Sequence, residues 1–299
     1  MNQAPGRILV TGASGQLGSY VLRALQRRGW PTVAWSQRPD VELFGCRCQS
    51  VQLRDTDQVV SAFQAAAPQF VIHAAAMSGV ADCFRDPGLA RQTNVTATRL
   101  LVELADKHAA RIVYVSTDLV FNGEKDVYDE SDSPAPLSVY GQTKANAERC
   151  VLGGTRHLVL RMSLMFGPSV NERPSFFQQQ ISALRSNTPC RLFRDEWRTP
   201  LDLESAANGL LEVVQSDVTG ILHFGGPERM SRLEMGLRLA RYLGISESLI
   251  QAIDREDVPA GEPRPRDTSL DSRRWCALFP HLSRLDYEAA LKQIGVGRG

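Results

Sequence analysis

Eight residues near the N-terminus constrain this chain more than any others. Thr11-Gly12-Ala13-Ser14-Gly15-Gln16-Leu17-Gly18 sets three glycines three residues apart. They directly follow the apolar run Arg7–Val10 and open the segment Leu17–Arg28, where Leu17, Val21, Leu22 and Leu25 recur at helical spacing. A strand that turns through glycines into a helix lets the backbone approach a phosphate closely. It also aims the free N–H groups and positive dipole end of the helix at that phosphate. Gly12, Ser14, Gly15, Gln16, Leu17 and Gly18 are therefore expected to hold the pyrophosphate of a dinucleotide.

The chain downstream keeps the same rhythm. Pro31–Trp35 reads as a strand, the region of Val51 as another, Thr56–Ala67 as a helix, Phe70–Ile72 as a strand, Leu89–His108 as one long helix and Arg111–Ser116 as a buried strand. Alternation of this kind gives a parallel sheet covered on both faces, with right-handed crossovers and ligands at the carboxyl ends of the strands. Residues 121–137, rich in Asp, Ser, Pro and Gly, read as a surface loop. Helices follow at Val139–Leu152, Phe176–Leu184, Leu203–Val214 and Leu233–Leu243, with strands at Leu158–Met162 and Ile221–Phe224 and an irregular, proline-containing stretch at 257–266. The expected fold class is α/β: a doubly wound parallel sheet of Rossmann type with a smaller C-terminal α/β cap that binds substrate. The division expected is 1–166 with 200–224 for the dinucleotide, and 167–199 with 225–299 for the substrate.

Composition removes several alternatives. The net charge is +1, with 43% hydrophobic and 22% charged residues, so no global field favours nucleic acid or a membrane surface. No basic segment followed by a long apolar stretch opens the chain, and no apolar run approaches the ~18 residues of a membrane span, so a cytoplasmic protein is expected. The six cysteines include one C-x-C pair, Cys46 and Cys48, without a second ligand pair; free thiols and no metal site are expected.

The second strand ends Trp35-Ser36-Gln37-Arg38 and carries no carboxylate for the ribose hydroxyls of NAD. Arg38 instead suits a 2′-phosphate, so NADPH is the expected cofactor, with NADH as the alternative. Farther on, Tyr140 and Lys144 stand four apart on a helix and so share a face. A nearby ammonium favours a phenolate, which would bring the tyrosine within reach of acid–base work near neutrality. Ser116-Thr117-Asp118 follows a buried strand at the carboxyl edge of the sheet, where Thr117 can donate to a substrate carbonyl.

Taken together these pieces resemble extended short-chain dehydrogenase/reductases, and most of all dTDP-4-dehydrorhamnose reductases. The matching stretches are ILVTGASGQLG (Ile8–Gly18), VIHAAA (Val71–Ala76), Asn94 within QTNVTAT, STDLVF (Ser116–Phe121), YGQTK (Tyr140–Lys144), RMSLMFG (Arg161–Gly167) and RPRDTSLD (Arg264–Asp271). The resemblance implies that Tyr140 protonates the carbonyl oxygen as hydride arrives, that Lys144 tunes it and holds the ribose, and that Thr117 polarises the carbonyl. It puts Gln52 and Leu53 near the adenine, and Ala74, Ala75, Ala76, Asn94 and Ser116 on the cofactor side. Asp118, Val80, Trp197 and Arg264 fall on the substrate side, with Arg264 near the diphosphate of a nucleotide sugar. A homodimer is the partner state such enzymes suggest.

One segment departs from the pattern. Where these reductases carry D-Q-x-G-x-P-T, this chain reads Asp195-Glu196-Trp197-Arg198-Thr199-Pro200-Leu201. That segment, with GPERMSRLEM (Gly226–Met235), also resembles the regulatory beta subunit of methionine adenosyltransferase. Two alternatives follow: a non-catalytic dinucleotide-binding subunit, and a sugar-nucleotide epimerase or dehydratase. The latter would favour the acidic residue that the second strand lacks.

Overall fold

A computed structural model describes residues 6–170, 173–258, 261–282 and 284–297. Its centre is a 7-stranded sheet of parallel strands: β1 Ile8–Thr11, β2 Thr32–Ser36, β3 Gln49–Ser50, β4 Phe70–His73, β5 Arg111–Thr117, β6 Leu158–Met162 and β7 Gly220–Phe224. In space they run β7-β6-β5-β4-β1-β2-β3. Ile8 pairs with both Thr32 and Phe70, so the order reverses beside β1 and opens a crevice at the carboxyl ends of β1 and β4.

Both faces of the sheet are covered, and the strands alternate accordingly. Ile8 and Val10 point to one face and pack with Leu17, Val21 and Leu25 of helix Gln16–Arg28 and with Leu210 and Val214 of helix Leu203–Gln215. Leu9, Val71 and Ile112 point to the other and meet Phe63, Leu101, Ala105, Ala147 and Val151 from helices Thr56–Ala66, Ala97–Lys107 and Val139–Leu152. A separate core gathers Phe177, Leu184, Met235, Leu239, Tyr287 and Leu291 from helices Phe176–Arg185, Arg232–Leu243 and Tyr287–Ile294. It is backed by a parallel pair of short strands, Cys190–Phe193 and Ile250–Ile253.

The structure corrects one expectation, refines a second and adds a pair of strands that the sequence reading did not place. The helix expected over Leu89–His108 is interrupted. It begins at Pro87 behind the side-chain cap of Asp86, widens into a π turn at Gln92–Thr96 and resumes as Ala97–Lys107. The extra residue in that turn swings Asn94 inward, where its Oδ1 accepts Met77 N–H at 2.8 Å and its Nδ2 donates to the Met77 carbonyl at 3.0 Å. The loop 121–137 is pinned as well as exposed. Phe121 and Tyr128 are buried and stacked 4.1 Å apart, and Tyr128 bridges to Leu270. The paired strands at 190–193 and 250–253 are four residues each, too short for their alternation to show.

Candidate active site

One cleft of about 1650 Å³ opens over the crevice. Along one side lie Gly12, Ser14, Gly15, Gln16, Leu17 and Gly18, then Arg38, Gln52 and Leu53, then Ala74, Ala75 and Ala76. Gly12 adopts φ +67°, and a Cβ on it would stand 2.7 Å from the Ala75 backbone, so the turn and the segment after β4 touch only because the side chain is missing. Helix Gln16–Arg28 starts behind Gly15 with no side-chain cap, leaving its first N–H groups to face the cleft. Ser14 and Ser36 share a hydroxyl hydrogen bond of 2.8 Å, and the Arg38 guanidinium donates to the Ser14 carbonyl at 3.3 Å. Gln52 is held by donation to the Gln37 carbonyl at 2.8 Å. Asn94 is not among the cleft-lining residues; it is 1% exposed and acts one layer down, fixing the peptide of Met77.

At the centre of the cleft are Val115, Ser116, Thr117, Asp118, Tyr140 and Lys144. Helix Val139–Leu152 starts at the Ser138 cap, which accepts Gly141 N–H at 3.1 Å, while Glu262 accepts Val139 N–H at 2.6 Å. A Cβ on Gly141 would overlap the Leu119 carbonyl, so the helix reaches the end of β5 only because that residue is glycine. The Thr117 hydroxyl and the Tyr140 phenol line the same cleft and influence each other's charge.

The electrostatics differ from the sequence expectation. Burial pushes the Tyr140 phenol well above its ordinary value, the Asp118 carboxylate adds to that, and the Thr117 hydroxyl opposes it. Lys144 does not acidify the phenol here. Its Nζ donates to the Val115 carbonyl at 2.6 Å and sits 4.0 Å from the Tyr114 ring centroid, and burial pulls its ammonium down to about 7 against the influence of Glu148. A protonated phenol is the form a proton donor needs.

Behind this centre lies a buried ion pair that sequence reasoning did not find. Arg161 on β6 donates to Glu148 on the Tyr140 helix through Nε at 3.0 Å and Nη2 at 2.8 Å, and Ser116 donates to the same carboxylate at 2.5 Å. The pair locks the helix to β5 and β6.

Asp118, expected on the substrate side, is a knot as well as a lining residue. One of its oxygens accepts Ser163 at 3.2 Å and Thr268 at 3.1 Å and lies 3.6 Å from Arg198 Nε; the other accepts Thr117 at 3.1 Å. Burial raises its carboxyl, against Arg198 and these hydroxyls.

The far wall carries Arg173, Glu196, Arg198, Arg232 and Arg264, with Val80 and Phe84 at the rim. Trp197 is not among the lining residues: its ring lies under Arg229 at 4.3 Å, while its neighbours Glu196 and Arg198 face the cleft. The alternation of the short strand Trp197–Arg198 makes that choice, and a reading residue by residue could not tell which of the two faces points in. Arg264 donates to Glu196 at 3.3 Å. Arg232 lies over the Phe176 ring at 4.5 Å, and its Nη1 is enclosed with no hydrogen-bond partner among the described residues. Burial lowers its guanidinium to about 10. Away from the cleft, Glu228, Asp286 and Glu288 bring carboxylate oxygens within 4.8 Å of one another, a grouping the sequence did not disclose; Arg238 pairs with both glutamates.

With this geometry in view, comparison with known proteins is informative. The family model described as the RmlD substrate binding domain matches residues 6–295. The chain belongs to that family. A probable low-salt glycan biosynthesis reductase, Agl14 of Haloferax volcanii, is 31% identical over 88% of this chain and 88% of its own length. The beta subunit of methionine adenosyltransferase 2 from Mus musculus is 29% identical over 89% of this chain and 80% of its own. Among solved structures, a dTDP-4-dehydrorhamnose reductase from Bacillus anthracis in complex with NADP superposes with a TM-score of 0.86. That match covers 97% of this chain and 99% of that one at 22% identity, a likeness of fold. The chain is thus similar both to a protein named as a reductase and to one named as a subunit of methionine adenosyltransferase.

Proposed function

We propose that this protein is an NADPH-dependent reductase of a 4-keto nucleotide sugar, similar to dTDP-4-dehydrorhamnose reductase. The observation that carries the reading is the meeting of Thr117 and Tyr140 in the same cleft as the glycine turn and the arginine-lined wall. The residues fit a dinucleotide. The close approach at Gly12 and the uncapped start of helix Gln16–Arg28 suit a pyrophosphate. Arg38, beside the paired hydroxyls of Ser14 and Ser36, suits a 2′-phosphate. When bound, the nicotinamide supplies hydride.

The chain's own groups do the rest. With substrate bound, Thr117 turns the proton it gives to Asp118 toward the carbonyl oxygen and polarises it, and Tyr140, protonated, delivers a proton to that oxygen as charge develops. Lys144 offers its ammonium to the ribose side, and the phenolate left on Tyr140 takes a new proton from solvent through the open cleft. Arg198, Arg232 and Arg264 form the end of the cleft suited to a diphosphate; Arg232 in particular holds a desolvated cation, supported by the Glu196 carboxylate, with its Nη1 lacking a hydrogen-bond partner among the described residues.

The test is NADPH oxidation with dTDP-4-dehydrorhamnose, followed at the nicotinamide absorbance. Turnover that disappears in Tyr140→Phe supports the reading. Tight NADPH binding without turnover favours the second reading, a dinucleotide-binding partner subunit, which the 29% identity to the methionine adenosyltransferase subunit supports.

A further inference from the structure

A buried series of hydrogen bonds leads from the glycine turn to the backbone of Tyr140, and the chemistry above does not use it. Thr11 immediately precedes Gly12; its Oγ1 accepts Ala75 N–H at 3.3 Å and lies 2.6 Å from His73 Nδ1. The other nitrogen of that ring, Nε2, lies 2.9 Å from Thr98 Oγ1, and the Thr98 hydroxyl donates to the Asn94 carbonyl at 2.7 Å. From Asn94 the series continues: Nδ2 donates to Thr143 Oγ1 at 2.9 Å, and the Thr143 hydroxyl donates to the Tyr140 carbonyl at 2.8 Å.

The directions are fixed by counting protons. A hydroxyl has one. Thr98 commits its proton to Asn94, so it accepts from His73, and Nε2 carries the ring hydrogen. Nδ1 is then bare and accepts the proton of Thr11, whose oxygen is free to take Ala75 N–H. The imidazole is 0% exposed and stays neutral, because burial pulls it down to about 3 and Lys144 adds to that. Tyr114 is the other titratable group facing it, with ring centroids 5.5 Å apart. Thr11, His73, Asn94 and Thr98 are all 1% exposed or less, so each unmade bond in the series would strand a buried polar group.

We propose that His73, held as its Nε2–H tautomer between Thr11 and Thr98, is a positioning residue that ties the glycine turn and residues 74–77 to the backbone of Tyr140. The inference rests on the reductase reading only for what Tyr140 does. Its consequence is that the phosphate-facing and proton-donating sides of the cleft keep a fixed separation, a matter in which displacements of about 1 Å cost about 100-fold in rate.

The test has three arms on the full chain with NADPH bound. Nitrogen NMR of histidine-labelled protein, with the His73 signals assigned by their loss in His73→Gln, is expected to show a protonated Nε2 and a bare Nδ1 from pH 6 to 8. An Nδ1–H tautomer or an imidazolium overturns the proposal. Thr98→Val removes the hydroxyl with little change of shape. It is expected to lower kcat about tenfold or more while KM for NADPH stays within about twofold, and Thr98→Ser is expected to restore it. Amide exchange at residues 141–144 is expected to quicken in Thr98→Val, a readout that needs no turnover. Unchanged kcat and exchange in Thr98→Val overturn the proposal and leave the reductase reading intact. A wild-type protein that shows the expected tautomer and exchange but never oxidises NADPH overturns the reductase reading alone.

Discussion

Replacing Arg161 by Met should destabilise the protein by about 3–5 kcal/mol, because it leaves the Glu148 carboxylate buried with its cation gone. The side chains are 1% and 2% exposed, and among the described residues Arg161 provides two of the three hydrogen bonds that reach Glu148, at 3.0 and 2.8 Å, leaving that from Ser116. The converse change, Glu148→Leu, leaves Arg161 with His223 Nε2 at 3.3 Å and the Phe121 ring at 5.1 Å, neither of which carries a compensating charge, and the same range applies. The double variant Glu148→Leu/Arg161→Met buries two apolar chains of similar reach and should recover most of the loss. Urea unfolding of the four proteins reads this as a double-mutant cycle, and in a melt of this 299-residue chain each single variant should fall by roughly 5–8 °C. A single variant that loses less than about 1 kcal/mol, or a double that loses the sum of the two singles, would refute the assignment of this pair as a mutually compensated buried contact.

Other outcomes follow from the cleft. Tyr140→Phe should lower kcat by at least about 100-fold while leaving NADPH affinity nearly unchanged, as measured by cofactor fluorescence titration. Arg38→Ala should weaken NADPH about 10–100-fold and leave NADH alone; equal losses for both cofactors would remove Arg38 from 2′-phosphate recognition. Gly12→Ala forces a side chain into φ +67° and against Ala75, so dinucleotide binding should weaken by roughly 5–150-fold, the equivalent of about 1–3 kcal/mol of strain. Lys144 titrates lower in the folded protein, near 7, than in an unfolded chain, so folding is opposed below that value and the opposition fades as pH rises toward the unfolded lysine value. Wild-type stability measured relative to Lys144→Met should therefore climb between pH 7 and 10.

The sheet was legible because its signal is periodic and long-lived along the chain: apolar runs at β1, β4, β5 and β6 and the helical spacing of Leu17–Leu25 survive any detail of packing. The glycine turn and the Tyr140–Lys144 pair were legible for a related reason, since both are local spacings that backbone geometry converts directly into position. The π turn at Gln92–Thr96 was hidden, because adding one residue to a helical turn does not change which residues are apolar. Tertiary contact decided the remaining cases. Trp197 lost its place in the cleft to Arg198 through the side on which a two-residue strand pairs, and Lys144 turned to the Val115 carbonyl because burial left that as its partner. Arg161 and Glu148 stand thirteen positions apart on different elements, and no spacing rule joins them. Arg232 became visible only when the far wall closed around it.

Asp118 has a consequence for how the crevice is held together. A single carboxylate collects bonds from the end of β5, from the stretch after β6, from the segment before helix Leu203–Gln215 and from the stretch before helix Arg273–Leu278. Four lengths of chain far apart in sequence thus meet at one point at the floor of the crevice. Parting any one of these lengths from the others would strip a partner from a carboxylate that is 3% exposed, so the reacting end of the cleft is tied from four sides.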